Sequence, residues 1–416
     1  IESEYPRKSM YRFHFQGNEN QRNRITINFI NDFYDPKNRN PKRRDRNLYV
    51  EKIEILTPKG LNLSFRESRL RLLGESERQN IKDHHALFSL KRWLPRIYRT
   101  DLTSEDFTKH EFFFREMRAK GLSPIEAVRQ AFKAALISPR FIFREEAMDV
   151  EKPDKISEFA LAHRLSYFLW SSIPDDTIWE LAKNQELRKN LKKEFLRMLS
   201  DPKLNAFIEN FSGQWLQLRD LKLATPNPDQ FPEFSDSIRV SMVRETEEFF
   251  KYLLIQNLPV DTLLSANFSM VNQEMAKFYG LPGDFTEEFK RVVFTGEESA
   301  KRGGILTHGS ILAITSNPTR TSPVKRGKWV LENLLAAPPR EPPPNVAELE
   351  EPITKSNQAL TLREQMAQHS KNPMCYSCHA SMDNLGYAME NFNAIGKWRT
   401  EEDGMPLDVL GKLRAG

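Results

Sequence analysis

The sequence predicts a mainly α fold, a multi-helical body preceded by a small partial β-sandwich module and closed by a cofactor-binding segment. Three observations predict it. Residues 11–57 alternate polar and apolar side chains, as in Tyr11-Arg-Phe-His-Phe15 and Ile25-Thr-Ile-Asn-Phe-Ile30, which is the period of a half-buried strand. Beyond Pro58-Lys-Gly60 the apolar residues recur at helical spacing for most of the chain. Lastly, Cys375, Cys378 and His379 spell CYSCH, and these are the only two cysteines in 416 residues. That spacing suits covalent c-type haem attachment: each thiol forms a thioether to a haem vinyl group, and the adjacent histidine reaches the iron. Zinc held by the same three side chains, or a dithiol, are the alternatives that the motif leaves open.

Each element follows from local chemistry. Leu48 to Ile55 repeats the strand alternation after a loop rich in Asn, Pro and Asp. Residues 86–148 form a small helical unit, in which Ser123 caps a helix, Pro124 takes its first position and Glu126 completes a capping box. Val128, Ala131, Phe132 and Ala135 give that helix one buried face. Further helices are expected at Phe159–Trp170, Asp175–Ala182, Glu186–Leu199, Leu204–Leu218 and Ser235–Gln256, with aromatic residues crowding their inner faces. Ser322 and Pro323 begin another, running to Leu335. Five prolines in the seven residues 338–344 then make a stiff spacer. The expected divisions are 1–57 (partial β module), 86–148 and 155–283 (helical domains), 300–346 (loop, helix and Pro-rich linker) and 355–416 (haem-binding segment).

Composition bounds the function. The chain is 39% hydrophobic and 29% charged, which reads as soluble and globular, and no apolar run is long enough to span a membrane. A net charge of +5 on 62 basic and 57 acidic residues argues against nucleic-acid binding. Hydrolase signatures are missing: there is no G-x-S-x-G elbow or H-E-x-x-H, and Thr307-His-Gly-Ser310 lacks the strand-turn-helix frame of a nucleophile. Glu245, Glu247 and Glu248 are expected as solvated charges on a helix. Ile1 is not an initiator methionine, so a processed or partial chain is expected.

If haem is bound, His379 is the proximal ligand. Met389 is the sixth-ligand candidate carried forward; Met405, His308 and His369 are further ones, while Met382 follows His379 too closely to reach the opposite face. Arg320, Lys325, Arg326 and Lys328 make a basic stretch at a helix start where haem propionates or a phosphate could dock. Salt bridges to Glu348, Glu350 and Glu351 are the alternative use of those charges.

Four phrases resemble a family of large exported proteins of planctomycete-type bacteria, consecutive domains of unknown function ending in a cytochrome c-like part. They run 160–176 (ALAHRLSYFLWSSIPDD), 210–216 (NFSGQWL), 315–332 (TSNPTRTSPVKRGKWVLE) and 375–392 (CYSCHASMDNLGYAMENF). The resemblance implies haem c and export to the periplasm or cell exterior, and family members continue beyond a stretch like 411–416, so the haem segment is expected to be truncated. Asn31-Asp-Phe-Tyr34 and Asp45 to Ile53 are similar to calcium-dependent xylan-binding modules. That similarity implies polysaccharide as a partner and Ca²⁺ as a second cofactor, with Asp32 and Asp45 as its carboxylates; both residues also suit a hairpin turn. The expected function is electron transfer by an exported c-type cytochrome-like protein, coupled to polysaccharide binding or oxidation. A haem peroxidase or oxidase with an open iron, or a carbohydrate-binding scaffold without active haem, are the alternatives. The redox partner is not legible.

Overall fold

The computed structural model describes residues 81–144, 146, 148, 155–339, 361–369, 373–402 and 404–411. The predicted β module, with Asp32 and Asp45, and the acids Glu348, Glu350 and Glu351 lie outside the described residues. Chain contacts separate Ile1–Ser89 from Leu90–Gly416, and only the second unit is described over most of its length.

The described chain is mainly helical, as the periodicity predicts. Helix α1 (Asp83–Tyr98) leads to α2 (Ser104–Ala119) and α3 (Pro124–Leu136). Ser123 and Glu126 form the predicted capping box, which satisfies two amides that the first turn of α3 would otherwise leave unpaired. A single turn, Pro139–Ile142, follows. Then come α4 (Glu158–Trp170), α5 (Asp176–Lys183), α6 (Leu187–Leu199) and α7 (Asn205–Trp215). They share a core of Leu169, Trp170, Ile178, Leu187, Met198 and Ile208.

The long α8 (Asp236–Ile255) is followed by β1 (Phe268–Val271), α9 (Gln273–Tyr279) and β2 (Lys290–Val293). β1 and β2 are antiparallel, with Phe268 opposite Val293 and Val271 opposite Lys290. Next are α10 (Gly309–Ile314) and α11 (Pro323–Trp329). The sequence predicts that α11 continues to Leu335; it does so as a π-helical turn, Val330–Leu334, whose Asn333 carbonyl accepts the indole N–H of Trp215 at 2.7 Å. Helices α12 (Leu362–His369) and α13 (Pro373–Tyr387) precede a two-residue hairpin, β3 (Glu401–Glu402) with β4 (Met405–Pro406).

One apolar cluster runs across segments that the sequence separates. Phe249 of α8 and Phe268 of β1 pack with Ile305, Ile311, Trp329, Met389 and Phe392. Burial of such side chains, each worth about 1.5–3 kcal/mol, binds the segment after α13 to the helical body. Among the described residues no helix is long and apolar enough to cross a membrane.

Candidate cofactor-attachment site

The CYSCH motif occupies the N-terminal half of α13. Of its three chemical groups, the side chain of His379 is described, and it is partly buried. Its Nδ1 lies 3.1 Å from both carboxylate oxygens of Asp383, one turn further along the helix. Asp383 is buried, and its hydrogen bond raises the pKa of His379 from the ordinary value. In the neutral ring a carboxylate at Nδ1 favours the tautomer with its proton there, the one in which a histidine ligand meets a metal through Nε2. The next turn brings Tyr387, whose hydroxyl is pushed up to about 12, first by burial and then by the Asp383 charge. The Arg363 guanidinium of α12 stands 4.3 Å from the Tyr387 ring centroid. His379, Asp383 and Tyr387 are thus successive members of one face of α13.

α13 is held against α11 by two small residues, one on each helix. A Cβ on Gly327 would lie 1.8 Å from the carbonyl oxygen of Met382, and one on Gly386 would lie 1.9 Å from that of Pro323. These are backbone contacts that no side-chain rotation relieves, so the two glycines permit the approach. Gly386 therefore positions the helix that carries His379.

The predicted basic patch is divided by the same packing. Lys325 and Lys328 are exposed, and Arg320 is partly exposed. Lys325 donates to Asn317 Oδ1 at 2.6 Å, and Arg320 makes a long 3.4 Å contact to the carbonyl of Thr321. Arg326 points the other way and is fully buried. It donates to Glu390 Oε1 at 2.9 Å and to the carbonyls of Met389 and Asn393 at 2.6 and 2.9 Å. Glu390 also accepts from Thr321 at 2.6 Å and Arg399 at 3.0 Å. Burial lowers the pKa of Arg326 to about 10, and the Glu390 charge opposes that shift. This corrects the expectation for Arg326: its charge is matched by Glu390 inside the protein, so it is not placed to receive a propionate.

The sixth-ligand candidates are also placed. Met389 lies in the turn after α13 and is buried in the apolar cluster with Trp329 and Phe392. Met382 is buried beneath Gly327, and Met405 is partly exposed on β4. His308 is buried, and both ring nitrogens have hydroxyl partners, Thr246 at 2.9 Å and Ser269 at 3.2 Å. Burial lowers its pKa to about 3, so it is a neutral structural histidine. The side chains of His369, Cys375 and Cys378 lie outside the described residues.

The expectation of solvated carboxylates on α8 is corrected as well. Glu245 is 1% exposed, and Glu247 is also buried. Tyr279 Oη donates to Glu245 Oε2 at 2.5 Å and Ser269 Oγ donates to Glu245 Oε1 at 2.7 Å, while Arg302 covers the Tyr279 ring at 3.6 Å. Such a network ties α8, β1, α9 and the loop before α10 together, and tertiary partners distant in sequence create it. Asp383 and Glu390 were missed for related reasons. Asp383 could have been found from its i, i+4 spacing to His379, whereas nothing local marks Glu390 as the partner of Arg326.

Comparison with known families gives four consecutive matches. Residues 4–62 match CBM60, a Ca-dependent carbohydrate-binding module of xylan-binding type. Residues 87–146 match PSD5 (DUF1595), residues 156–281 match PSD4 (DUF1592) and residues 302–402 match PSCyt3 (DUF1588), each described as a protein of unknown function. The last three are planctomycete-type cytochrome-like domains, so the chain carries a cytochrome-like portion together with a match to a xylan-binding module. No curated protein and no solved structure matches the chain.

Proposed function

We propose that this is an exported c-type cytochrome-like protein that carries one covalent haem and transfers electrons near polysaccharide. Cys375 and Cys378 would hold the haem through thioethers, and His379 Nε2 would bind its iron. The observation that carries the reading is the His379–Asp383 hydrogen bond, because a carboxylate at Nδ1 orients the ring of a CxxCH histidine and, in the neutral form, favours the tautomer that ligates through Nε2. Bound haem supplies reversible one-electron chemistry at iron. Asp383 would hold the imidazole ring in orientation and its proton on Nδ1, and the Gly327–Gly386 contact would fix α13. The match at residues 4–62 supports polysaccharide as the surface on which the protein works, with Ca²⁺ at that module through Asp32 and Asp45. Arg320, Lys325 and Lys328 would be the cations to face propionates, Lys325 exchanging its bond to Asn317 and Lys328 its 3.6 Å ion pair with Glu332.

A second reading, an iron open on its sixth side and able to meet peroxide or a small ligand, is favoured by the placement of two candidates. His308 is taken by Thr246 and Ser269, and Met389 is packed with Trp329 and Phe392. Cyanide addition to the haem-loaded protein separates the two. Rapid formation of a low-spin adduct supports the open iron, and an unchanged spectrum supports a closed electron-transfer site.

A further inference from the structure

A cavity of about 790 Å³ opens between the end of α1, the turn at 139–142 and α4, away from the CYSCH helix in sequence and built on different residues. Four arginines line it: Arg99, Arg140, Arg144 and Arg164. Two of them are neutralised, Arg140 by Asp106 at 2.7 Å and Arg164 by Glu146, whose Oε1 accepts at 2.7 Å. The other two are not. Among the described residues Arg99 donates only to neutral oxygens, Phe141 O at 2.7 Å, Tyr167 Oη at 3.2 Å and Arg140 O at 3.4 Å. Arg144 stacks 4.3 Å from the Tyr167 ring centroid and has no carboxylate partner among the described residues. A stacked guanidinium keeps its edge donors free for an anion, and two unmatched cations at one cavity ask for a negative charge.

The same cavity is lined by a histidine with an unused acceptor. His163 is 5% exposed and lines the cavity. Its Nδ1 lies 2.8 Å from the Phe159 carbonyl, which accepts and so holds the proton there, and its Nε2 is buried with no hydrogen-bond partner. Burial, with the nearby arginine charges, holds the ring neutral with a pKa of about 4. A buried lone pair without a donor costs free energy until something supplies one. Beside it Phe168 leaves an exposed ring.

We infer that this cavity binds an acidic sugar unit, its carboxylate on Arg99 and Arg144, a hydroxyl donating to His163 Nε2 and a C–H face on Phe168. The volume exceeds what an inorganic oxyanion fills, and the exposed Phe168 ring calls for a C–H face that inorganic phosphate does not offer. The site does not depend on haem.

Calorimetric titration of the whole chain tests it, in chelator so that a calcium-dependent module is silent, with glucuronate, glucose and inorganic phosphate as probes. Glucuronate is expected to bind at least tenfold tighter than either of the others, and Arg144→Gln to weaken it at least tenfold with an unchanged melting temperature. Should Arg144→Gln melt earlier than the parent, Phe168→Ala, which alters an exposed ring, takes its place with the same expected loss. Glucose binding as well as glucuronate, phosphate binding as well as glucuronate, no binding of glucuronate, or variants that bind like the parent would each overturn the inference.

Discussion

His379 Nδ1 is equidistant, at 3.1 Å, from the two carboxylate oxygens of Asp383, a buried residue one turn along the same helix. A carboxylate in that position increases the electron density that the imidazole can give to a metal through Nε2. Asp383→Asn keeps the shape and removes the charge. In haem-loaded protein its reduction potential is expected to rise, with covalent haem content unchanged; an unaltered potential would show that Asp383 does not act through His379.

The pair Arg326–Glu390 is a buried ion pair whose partners are 64 residues apart. Glu390→Gln leaves a buried guanidinium without its counter-charge, although the carbonyls of Met389 and Asn393 still accept from it. The expected loss of stability is about 3–5 kcal/mol, read from denaturant unfolding. A loss below about 1 kcal/mol would place the pair among those surface bridges that contribute little.

Glycine contacts give a prediction of sign. In an unobstructed helix, Gly→Ala stabilises by about 0.8–1 kcal/mol. Gly213 in α7 is such a position, since an added Cβ meets only the Arg219 side chain at 3.5 Å. At Gly327 and Gly386 the added Cβ meets backbone at 1.8 and 1.9 Å, so the same substitution is expected to cost about 1–3 kcal/mol or more. Thermal melts should therefore move down for G327A and G386A and not for G213A. Equal shifts in all three would contradict the close packing of α11 on α13.

Glu245 provides a pH dependence. Burial raises its pKa from 4.5 to about 7, against the pull of its Tyr279 and Ser269 hydrogen bonds. Between those values the folded chain holds a proton that the unfolded chain has released, so the contribution of this group to stability falls as pH rises through the window. The full penalty, about 3 kcal/mol, is reached above pH 7. Glu245→Gln removes the titration. The stability of the variant relative to the parent should therefore improve from pH 4.5 to 7.5, and parallel stability profiles would contradict the assignment.

What was legible in the sequence had local causes. The Ser123 and Glu126 capping box forms as its spacing predicts, and the helix expected at 159–170 is observed at Glu158–Trp170. The CYSCH spacing is likewise a local pattern, read directly. What escaped depends on tertiary packing. Arg326 and Lys325 are neighbours in one basic run, yet the helix turns one to Glu390 and the other to solvent. Glu245 reads as a surface acid beside Glu248 until Tyr279 and Ser269 close over it. His163 reads as one member of an apolar helix, and its unused Nε2 exists only because the neighbouring elements bury it. Charge sequence says how many partners a segment needs, and the fold decides which are found.

The central claim is covalent haem on α13. The most direct measurement is a pyridine haemochrome spectrum, with haem staining on a denaturing gel, of protein made in a periplasm with cytochrome c maturation. A c-type spectrum and a stained band at the mass of the chain, both lost in Cys375→Ser with Cys378→Ser, are the predicted result. Haem-free protein under those conditions would contradict the account and leave calcium-dependent sugar binding through residues 4–62 as the function to pursue.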